Sequence, residues 1–328
     1  MGSNLNLVSR PDTGIEEWNR SADLFPDAWI WHRWEAIEAY ATWPNTTDVS
    51  FALLDPTTNQ PVALIPMRRV LGRWPAQRLT CRLESTGLLS LAKSEGAHRV
   101  ELAMAPLAPA RRDAGVTGVN PLALLGCADA STQSWILDLA ERSEDELWRN
   151  LEHRVRKTVN KAERGGFTVR DVVPEDRADF LRLHQGASLR NGLPAKPAAY
   201  FDAIFDNFLA CGLATGFCAV APDGRTIAIH IFAVYKNNAL YWVVASDETA
   251  LTSGANDLVQ WHAIKAFAAR DLAGYECGEA FPGAPAGKRR RISDFKKGFG
   301  GELAPYYRGT LTPRPMIAAL LELFRSAR

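Results

Sequence analysis

The sequence predicts a mixed α/β (α+β) protein folded as two domains in tandem. Helical and strand-like periodicities alternate along most of the chain instead of segregating. In the second half, GFCAVAP, TIAIHIFAVY and ALYWVVASD are β-branched and aromatic runs of strand length. Asp-Gly and Lys-Asn-Asn turns separate them, so three consecutive antiparallel strands are expected. A length of 328 residues with 47% apolar composition is ample for two packed cores, which excludes disordered, collagen-like and small disulfide-scaffold proteins.

The first third carries strand-like runs, VSFALLD, PVALIPMRRV and HRVELAMAPL, behind a Trp-rich segment (Trp29, Trp31, Trp34) that alternates like a helix entering a core. A Gly/Ala/Pro-rich loop and the strand SWILDLA follow, and the domain boundary is expected near residue 140. Ser143 and Glu146 then stand in capping-box spacing, and Gly165–Gly166 suits a left-handed C-cap, predicting one helix between them. Leu147, Trp148, Leu151, Val155, Val159 and Ala162 form its apolar stripe, with Arg149, His153, Arg156, Lys157 and Arg164 opposite. That basic face is either solvated or phosphate-facing.

The strand FTVRDVV, a helix from Glu175 to Arg190 and a second helix in AAYFDAIFDNFLACG precede the three strands. SDETALTSG then leads into the largely apolar helix ANDLVQWHAIKAFAARD. Thr252 or Ser253 can cap its start, Gly254 permits close backbone approach, and the free N–H groups up to Asn256 make a candidate anion site. The strand YECGEA, a Gly/Pro loop, KRRRISDFKKGFGGE, the strand LAPYYRG and a last helix with Ile317, Leu320, Leu321 and Phe324 as its buried stripe complete the chain.

Lysine and arginine number 38 against 37 acids, a formal charge of +1, so affinity for phosphates has to come from a local patch and no DNA-binding field is expected. Five cysteines, Cys81, Cys127, Cys211, Cys218 and Cys277, form no CxxC pair and fit a reduced compartment. The opening residues lack the pattern of a secretory leader and no apolar run approaches the ~18–20 residues of a membrane span, so a cytoplasmic protein is expected. The six histidines are dispersed and no metal site is expected; His230 shares a strand face with Ala228 and Phe232 and is a core histidine or a base. Nucleophile-elbow, P-loop and dinucleotide fingerprints are lacking.

Lys288, Arg289, Arg290, Arg291, Lys296 and Lys297 put six cations into ten residues, a density suited to phosphate or pyrophosphate recognition as well as to a solvated loop. Phe295 and Phe299 can anchor the segment, and glycines 298, 300 and 301 permit close backbone approach. SWILDLA through ELWRNLEHRVRKTVNKAERGGFTVR, SGANDLVQWHAIKAFAARD, YECGE and above all FKKGFGGELAPYYRG resemble the Fem family of peptidoglycan bridge-forming aminoacyltransferases, within the GNAT N-acyltransferase superfamily. The resemblance covers roughly residues 135 to 310.

It implies tandem GNAT-like domains, each a mixed sheet flanked by helices, over 1–140 and 141–311, with residues 312–328 a helix packing back on the first domain. It implies transfer of an acyl group to an amine from an aminoacyl-tRNA or an acyl-CoA, as co-substrate instead of a permanently bound cofactor. By motif, Phe295 and Lys296 lie at the donor end, and Arg190 lies near the acceptor's phosphates with Lys196 close in sequence. An ammonium such as that of Lys296 can stabilise the oxyanion that forms when an amine attacks an ester or thioester. Glu276, Glu279 and His230 are the candidate proton acceptors, and Thr252, Ser253, Gly254, Asn256 and Arg291 the candidate donor contacts. Tyr306 and Tyr307 are expected to line the cleft.

The leading expectation is an N-acyltransferase acting on a cell-envelope precursor, a nucleotide-linked sugar or a small peptide, with aminoacyl-tRNA slightly favoured over acyl-CoA. A catalytically inert GNAT-fold binding module is the alternative from another class.

Overall fold

The computed structural model describes residues 5–70, 74–75, 97, 99–108 and 119–313. They fall into two compact units, Met1–Thr132 joined by the stretch from Pro305 onward, and Gln133–Ala304. The division lies at Thr132, not 140, because the strand over Thr132–Asp138 is hydrogen-bonded into the second unit's sheet. The chain returns to the first unit before 311 because Arg308–Leu311 pairs with strands there. The helix expected over 312–328 falls almost wholly outside the described residues.

The first unit comprises β1 (Asn6–Ser9), α1 (Arg10–Thr13), α2 (Ile15–Leu24), α3 (Trp34–Ala41), β2 (Thr46–Asp48), β3 (Phe51–Leu54), β4 (Pro61–Ile65), β5 (Arg68–Val70), β6 (Trp74–Pro75), β7 (Val100–Ala103) and β8 (Ala128–Asp129). Its strands form a β1-β3-β4 sheet, a β2-β5 ribbon and a four-stranded sheet in which the last strand of the chain lies between β7 and β8. Trp18 and Ala22 of α2 and Ile37 of α3 pack with Ala52, Leu54 and Leu64. The Trp-rich segment is a single 3-10 turn over Ile30–His32 leading into α3. The turn is held where Trp18 Nε1 donates to the His32 carbonyl at 2.6 Å.

The second unit runs through β9 (Thr132–Asp138), α4 (Glu144–Asn150), α5 (His153–Arg164), β10 (Thr168–Asp171), α6 (Arg177–Arg190), α7 (Ala198–Ala203, continued by a π-helical turn over Ile204–Leu209), β11 (Ala214–Val220), β12 (Thr226–Tyr235) and β13 (Asn238–Ser246). It continues with α8 (Glu248–Ser253), α9 (Ala255–Ala268), β14 (Gly274–Ala280), α10 (Lys288–Lys297) and β15 (Glu302–Tyr306), before β16 (Arg308–Leu311). The seven-stranded sheet has the order β10-β11-β12-β13-β14-β9-β15. It is mixed, since β13 and β14 run parallel while β11 to β13 are antiparallel as expected and β10 adds antiparallel to β11. β12 is buried at all ten positions, as a central strand covered on both faces must be. On one face, Val155 and Val159 of α5 and Val259, Ile264 and Phe267 of α9 join Phe217, Phe232 and Tyr275. Tyr200 and Phe208, from α7 and its π-helical continuation, meet Trp242 of β13 at ring distances of 6.3 and 4.8 Å.

The helix expected from Ser143 to Gly165 is two helices. Ser143 and Glu146 do form the capping box, but Leu151 is extended and Glu152 caps α5. The break frees the Glu152 N–H, which donates to the Gly298 carbonyl at 2.9 Å. Arg156, expected on the basic face, turns back to the carbonyls that end α4, those of Arg149 at 2.8 Å and Leu151 at 2.5 Å. That cation has a helix-capping role. The left-handed residue ending α5 is Gly166, with φ +79°.

Candidate active site

β13 and β14 pair only over Asn238–Leu240 against Gly274–Glu276. Just beyond, each strand carries an extra residue against its other neighbour, Trp242 of β13 against β12 and Cys277 of β14 against β9. A bulge bends its strand and breaks the ladder locally. Past these bulges β13 has no strand partner on its β14 side among the described residues, leaving a gap edged by main-chain donors and acceptors from Tyr241 to Ser246.

Lys296 of α10 stands at this gap. Its ammonium donates to the Glu279 carbonyl at 2.7 Å. Gly278 has φ +88°, and a Cβ there would stand 3.0 Å from Lys296 Nζ and 3.8 Å from the Tyr241 carbonyl oxygen. The ammonium is therefore fastened to β14 beside Gly278, where that strand leaves β13. Burial holds its pKa below the ordinary lysine value, opposed by Cys277, Glu276 and Glu279.

The rest of the FKKGFGG segment fixes that lysine. Phe295 packs on Phe299 at 5.0 Å, and Phe299 is buried in the core. Arg154 of α5 donates to the Asp294 carbonyl and pairs with Glu152 at 2.8 Å. A Cβ on Gly298 would stand 2.5 Å from both Arg154 Nη2 and Val155 Cγ2. One on Gly300 would stand 3.1 Å from the Asn150 carbonyl, and one on Gly301 would collide with the carbonyl of Ile136 in β9. Gly298 thus admits the side chains of Arg154 and Val155, Gly300 and Gly301 admit the backbone of Asn150 and Ile136, and their close approach has no need of a ligand. KRRRISDFKK is helical throughout and not a loop.

Among the proton-acceptor candidates, Glu276 is 3% exposed and accepts from Ser134 Oγ at 2.8 Å. Glu279 is partly buried beside the ammonium. His230 is fully buried, its Nε2 is 3.0 Å from Asn256 Oδ1 and its Nδ1 is 3.4 Å from Gln260 Nε2. Burial drives its pKa down to about 4, against the hydrogen bond to Asn256. With both nitrogens engaged it serves as a neutral core histidine.

The stretch expected to lead from the strand directly into the helix, with an anion site at its start, instead forms the short helix α8, joined to α9 through Gly254. The Thr252 hydroxyl turns back to the Glu248 and Thr249 carbonyls, at 3.1 and 3.3 Å. Ser253 Oγ accepts from the Ala255 N–H at 3.3 Å. Gly254 caps α9 at φ +88°, and a Cβ there would collide with Thr158 of α5, 2.5 Å from its Cγ2. The glycine is required by helix packing, and neither hydroxyl caps α9 as expected.

A further predicted residue, Arg190, lies at the far end of β13. Arg190 donates to the Ser246 carbonyl at 2.9 Å, and its neighbour Asn191 accepts from Lys288 Nζ at 2.9 Å. The end of α6 and the exposed first turn of α10, with Arg291, thus share one cationic edge. The Lys196 ammonium stands over the Tyr200 ring at 5.6 Å, and its backbone N–H donates to His184 Nε2 at 3.1 Å. Tyr306 and Tyr307 are both buried.

Two residues of the site were not expected. Asp257, in the first turn of α9, has its carboxyl raised to about 6 by burial, opposed by Arg154. Gln260 is 1% exposed and accepts from the Tyr275 hydroxyl at 2.5 Å. The available signal was an acid and an amide on the turn of a largely apolar helix that follows Asn256. Among the described residues there is no cluster of metal-ligating side chains and no helix long and apolar enough to cross a membrane.

Residues 149–295 match the family model of the acetyltransferase (GNAT) domain, a span that takes in α5, β13, α9 and β14 and ends one residue before Lys296. FemX has a similar structure over 92% of this chain and 96% of its own, with a TM-score of 0.67 at 14% identity. The tandem GNAT protein from the clavulanic acid biosynthesis pathway is similar over 95% of this chain and 99% of its own, with a TM-score of 0.54 at 12% identity. L-PGS from Bacillus licheniformis is similar over 80% of this chain and 85% of its own, with a TM-score of 0.54 at 14% identity. No curated protein matches the sequence. Residues 149–295 thus carry an acetyltransferase (GNAT) domain, and the fold around it is similar to that of FemX.

Proposed function

We propose that the chain is a cytoplasmic N-acyltransferase that takes an aminoacyl group from aminoacyl-tRNA, as co-substrate, and joins it to the amine of a cell-envelope precursor, a nucleotide-linked sugar or a small peptide. The observation that carries this is the Lys296 ammonium fastened to the main chain of β14 where that strand parts from β13. Attack of a neutral amine on the donor carbonyl develops an oxyanion, which Lys296 stabilises from a fixed position at no cost of reorganisation. Glu279 or Glu276 accepts the proton that the attacking amine loses and passes it to the ribose oxygen of the departing tRNA as the ester C–O bond breaks. The cationic edge of Arg190, Lys288 and Arg291 is suited to the phosphates of a tRNA acceptor end or of the acceptor substrate.

The occupied Thr252 and Ser253 hydroxyls and the close packing of Gly254 weigh against a pyrophosphate at the start of α9, and so favour aminoacyl-tRNA. The unpaired edge of β13 supports a second reading, acyl-CoA as donor, because its main-chain groups can pair with the amides of a pantetheine arm.

A thermal-shift titration with acetyl-CoA, CoA and a nonhydrolysable aminoacyl-tRNA acceptor-stem analogue separates the two, since a ligand binding only the native state raises Tm with concentration. Stabilisation by the stem analogue alone is expected. Stabilisation by CoA alone overturns the tRNA-dependent reading, and silence from every ligand supports the inert binding module.

A further inference from the structure

Three neighbouring strands turn a polar ring toward one helix in a staggered row: His230 of β12, Tyr241 of β13 and Tyr275 of β14. Gln260 of α9 reaches all three. Its Nε2 donates to His230 Nδ1 at 3.4 Å, its Oε1 accepts from the Tyr275 hydroxyl, and the Tyr241 hydroxyl bonds to the same carboxamide. Asn256, one turn earlier on α9, holds the other imidazole nitrogen. The tautomer follows, with Nε2–H donating to Asn256 Oδ1 and Nδ1 accepting from Gln260.

The position of this hub is informative. Tyr275 belongs to the last stretch at which β14 pairs with β13, opposite Ala239, and Tyr241 is the first β13 residue beyond the pairing. The two tyrosines thus come from the two strands where they part, and one buried carboxamide ties both to α9. A buried amide is held only by its complete set of partners, so its geometry is specific where apolar packing would be tolerant. We propose that Gln260 is a positioning residue that sets the divergence of β13 and β14, and with it the spacing between the unpaired edge of β13 and the Lys296 ammonium. This rests on the reading that the gap holds the donor.

The test uses the full chain with Gln260→Leu, which keeps the bulk and removes the hydrogen bonds, and with Gln260→Glu. The first readout needs no donor. Amide exchange over Tyr241–Ser246 is expected to accelerate at least tenfold in Gln260→Leu, with Ala214–Val220 within twofold of wild type. Equal acceleration in both stretches, or in neither, overturns the proposal. While Nε2–H is held by Asn256 Oδ1, a carboxylate at 260 can bond His230 Nδ1 once the imidazole takes up a proton. Protection of Tyr241–Ser246 in Gln260→Glu is therefore expected to recover as pH falls from 8 to 5, while wild type stays flat; a flat Gln260→Glu profile also overturns it. With acetyl-CoA or charged tRNA as donor, Gln260→Leu is expected to raise the donor KM at least tenfold and to change kcat less. Unchanged KM and kcat in an active wild type overturn the positioning role and leave the acyltransfer reading intact. If wild type transfers from neither donor, the acyltransfer reading fails and the exchange result still decides whether Gln260 sets the gap.

Discussion

Lys296 Nζ donates to the carbonyl oxygen of Glu279 at 2.7 Å, so the ammonium of α10 is fastened to the main chain of β14 where that strand leaves β13. Removing the charge while keeping the bulk, as in Lys296→Met, is expected to lower kcat by 10²–10³, about 2.7–4 kcal/mol, as loss of one oxyanion donor does. Circular dichroism is expected to be unchanged.

Gly278 bears on the same geometry. A Cβ there meets Lys296 Nζ at 3.0 Å, and the backbone at φ +88° disfavours a side chain. Gly278→Ala is expected to push the ammonium out of the gap and lower kcat at least tenfold. Wild-type turnover in this variant would show that the lysine need not stand there.

Gly301 is a packing position. Its φ of +86° and the Ile136 carbonyl in the path of a Cβ predict that Gly301→Ala loses about 3 kcal/mol in urea unfolding. Gly283, with nothing within 4 Å of an added Cβ and no positive φ, is the control, expected to change stability by less than about 1 kcal/mol.

Asp257 carries a pH signature. Its folded pKa is raised from 3.8 to about 6, so the folded state binds the proton more tightly than the unfolded chain does. The cost of holding it ionised is absent below pH 3.8, grows between 3.8 and 6, and is full above 6. Asp257→Asn is expected to raise Tm at pH 8 and to leave it nearly unchanged at pH 4. A gain of equal size at both pH values would contradict this.

Ser134→Ala takes the hydroxyl donor from the buried carboxylate of Glu276. A loss of about 1–3 kcal/mol in chemical unfolding is expected, the cost of leaving a buried acceptor short of a partner.

The strands of the second unit were legible because β-branched runs such as TIAIHIFAVY are bounded by turn residues and buried on both faces. The break at Leu151–Glu152 was not, since the apolar stripe from Leu147 to Ala162 crosses it in phase and the partner of the freed Glu152 N–H, the Gly298 carbonyl, is distant in sequence. Glycines 298, 300 and 301 were legible as points of close approach, but the sequence does not say to what. Lys296 could be singled out by its motif. The gap it faces could not, because a bulge is a relation between registers of neighbouring strands, and ALYWVVASD carries no local mark of the extra residue at Trp242. His230 was legible as a core histidine from its strand face, whereas the partners that hold it neutral, Asn256 and Gln260, were not.

The most direct measurement is mass-spectrometric detection of amide formation from charged tRNA, with acetyl-CoA in parallel, onto a panel of amino sugars, nucleotide-linked amines and short peptides. Wild type and Lys296→Met are compared at equal concentration. Amide formation by wild type that falls at least a hundredfold in Lys296→Met is the expected result. An equal yield from the two proteins would contradict the role of the Lys296 ammonium at the gap.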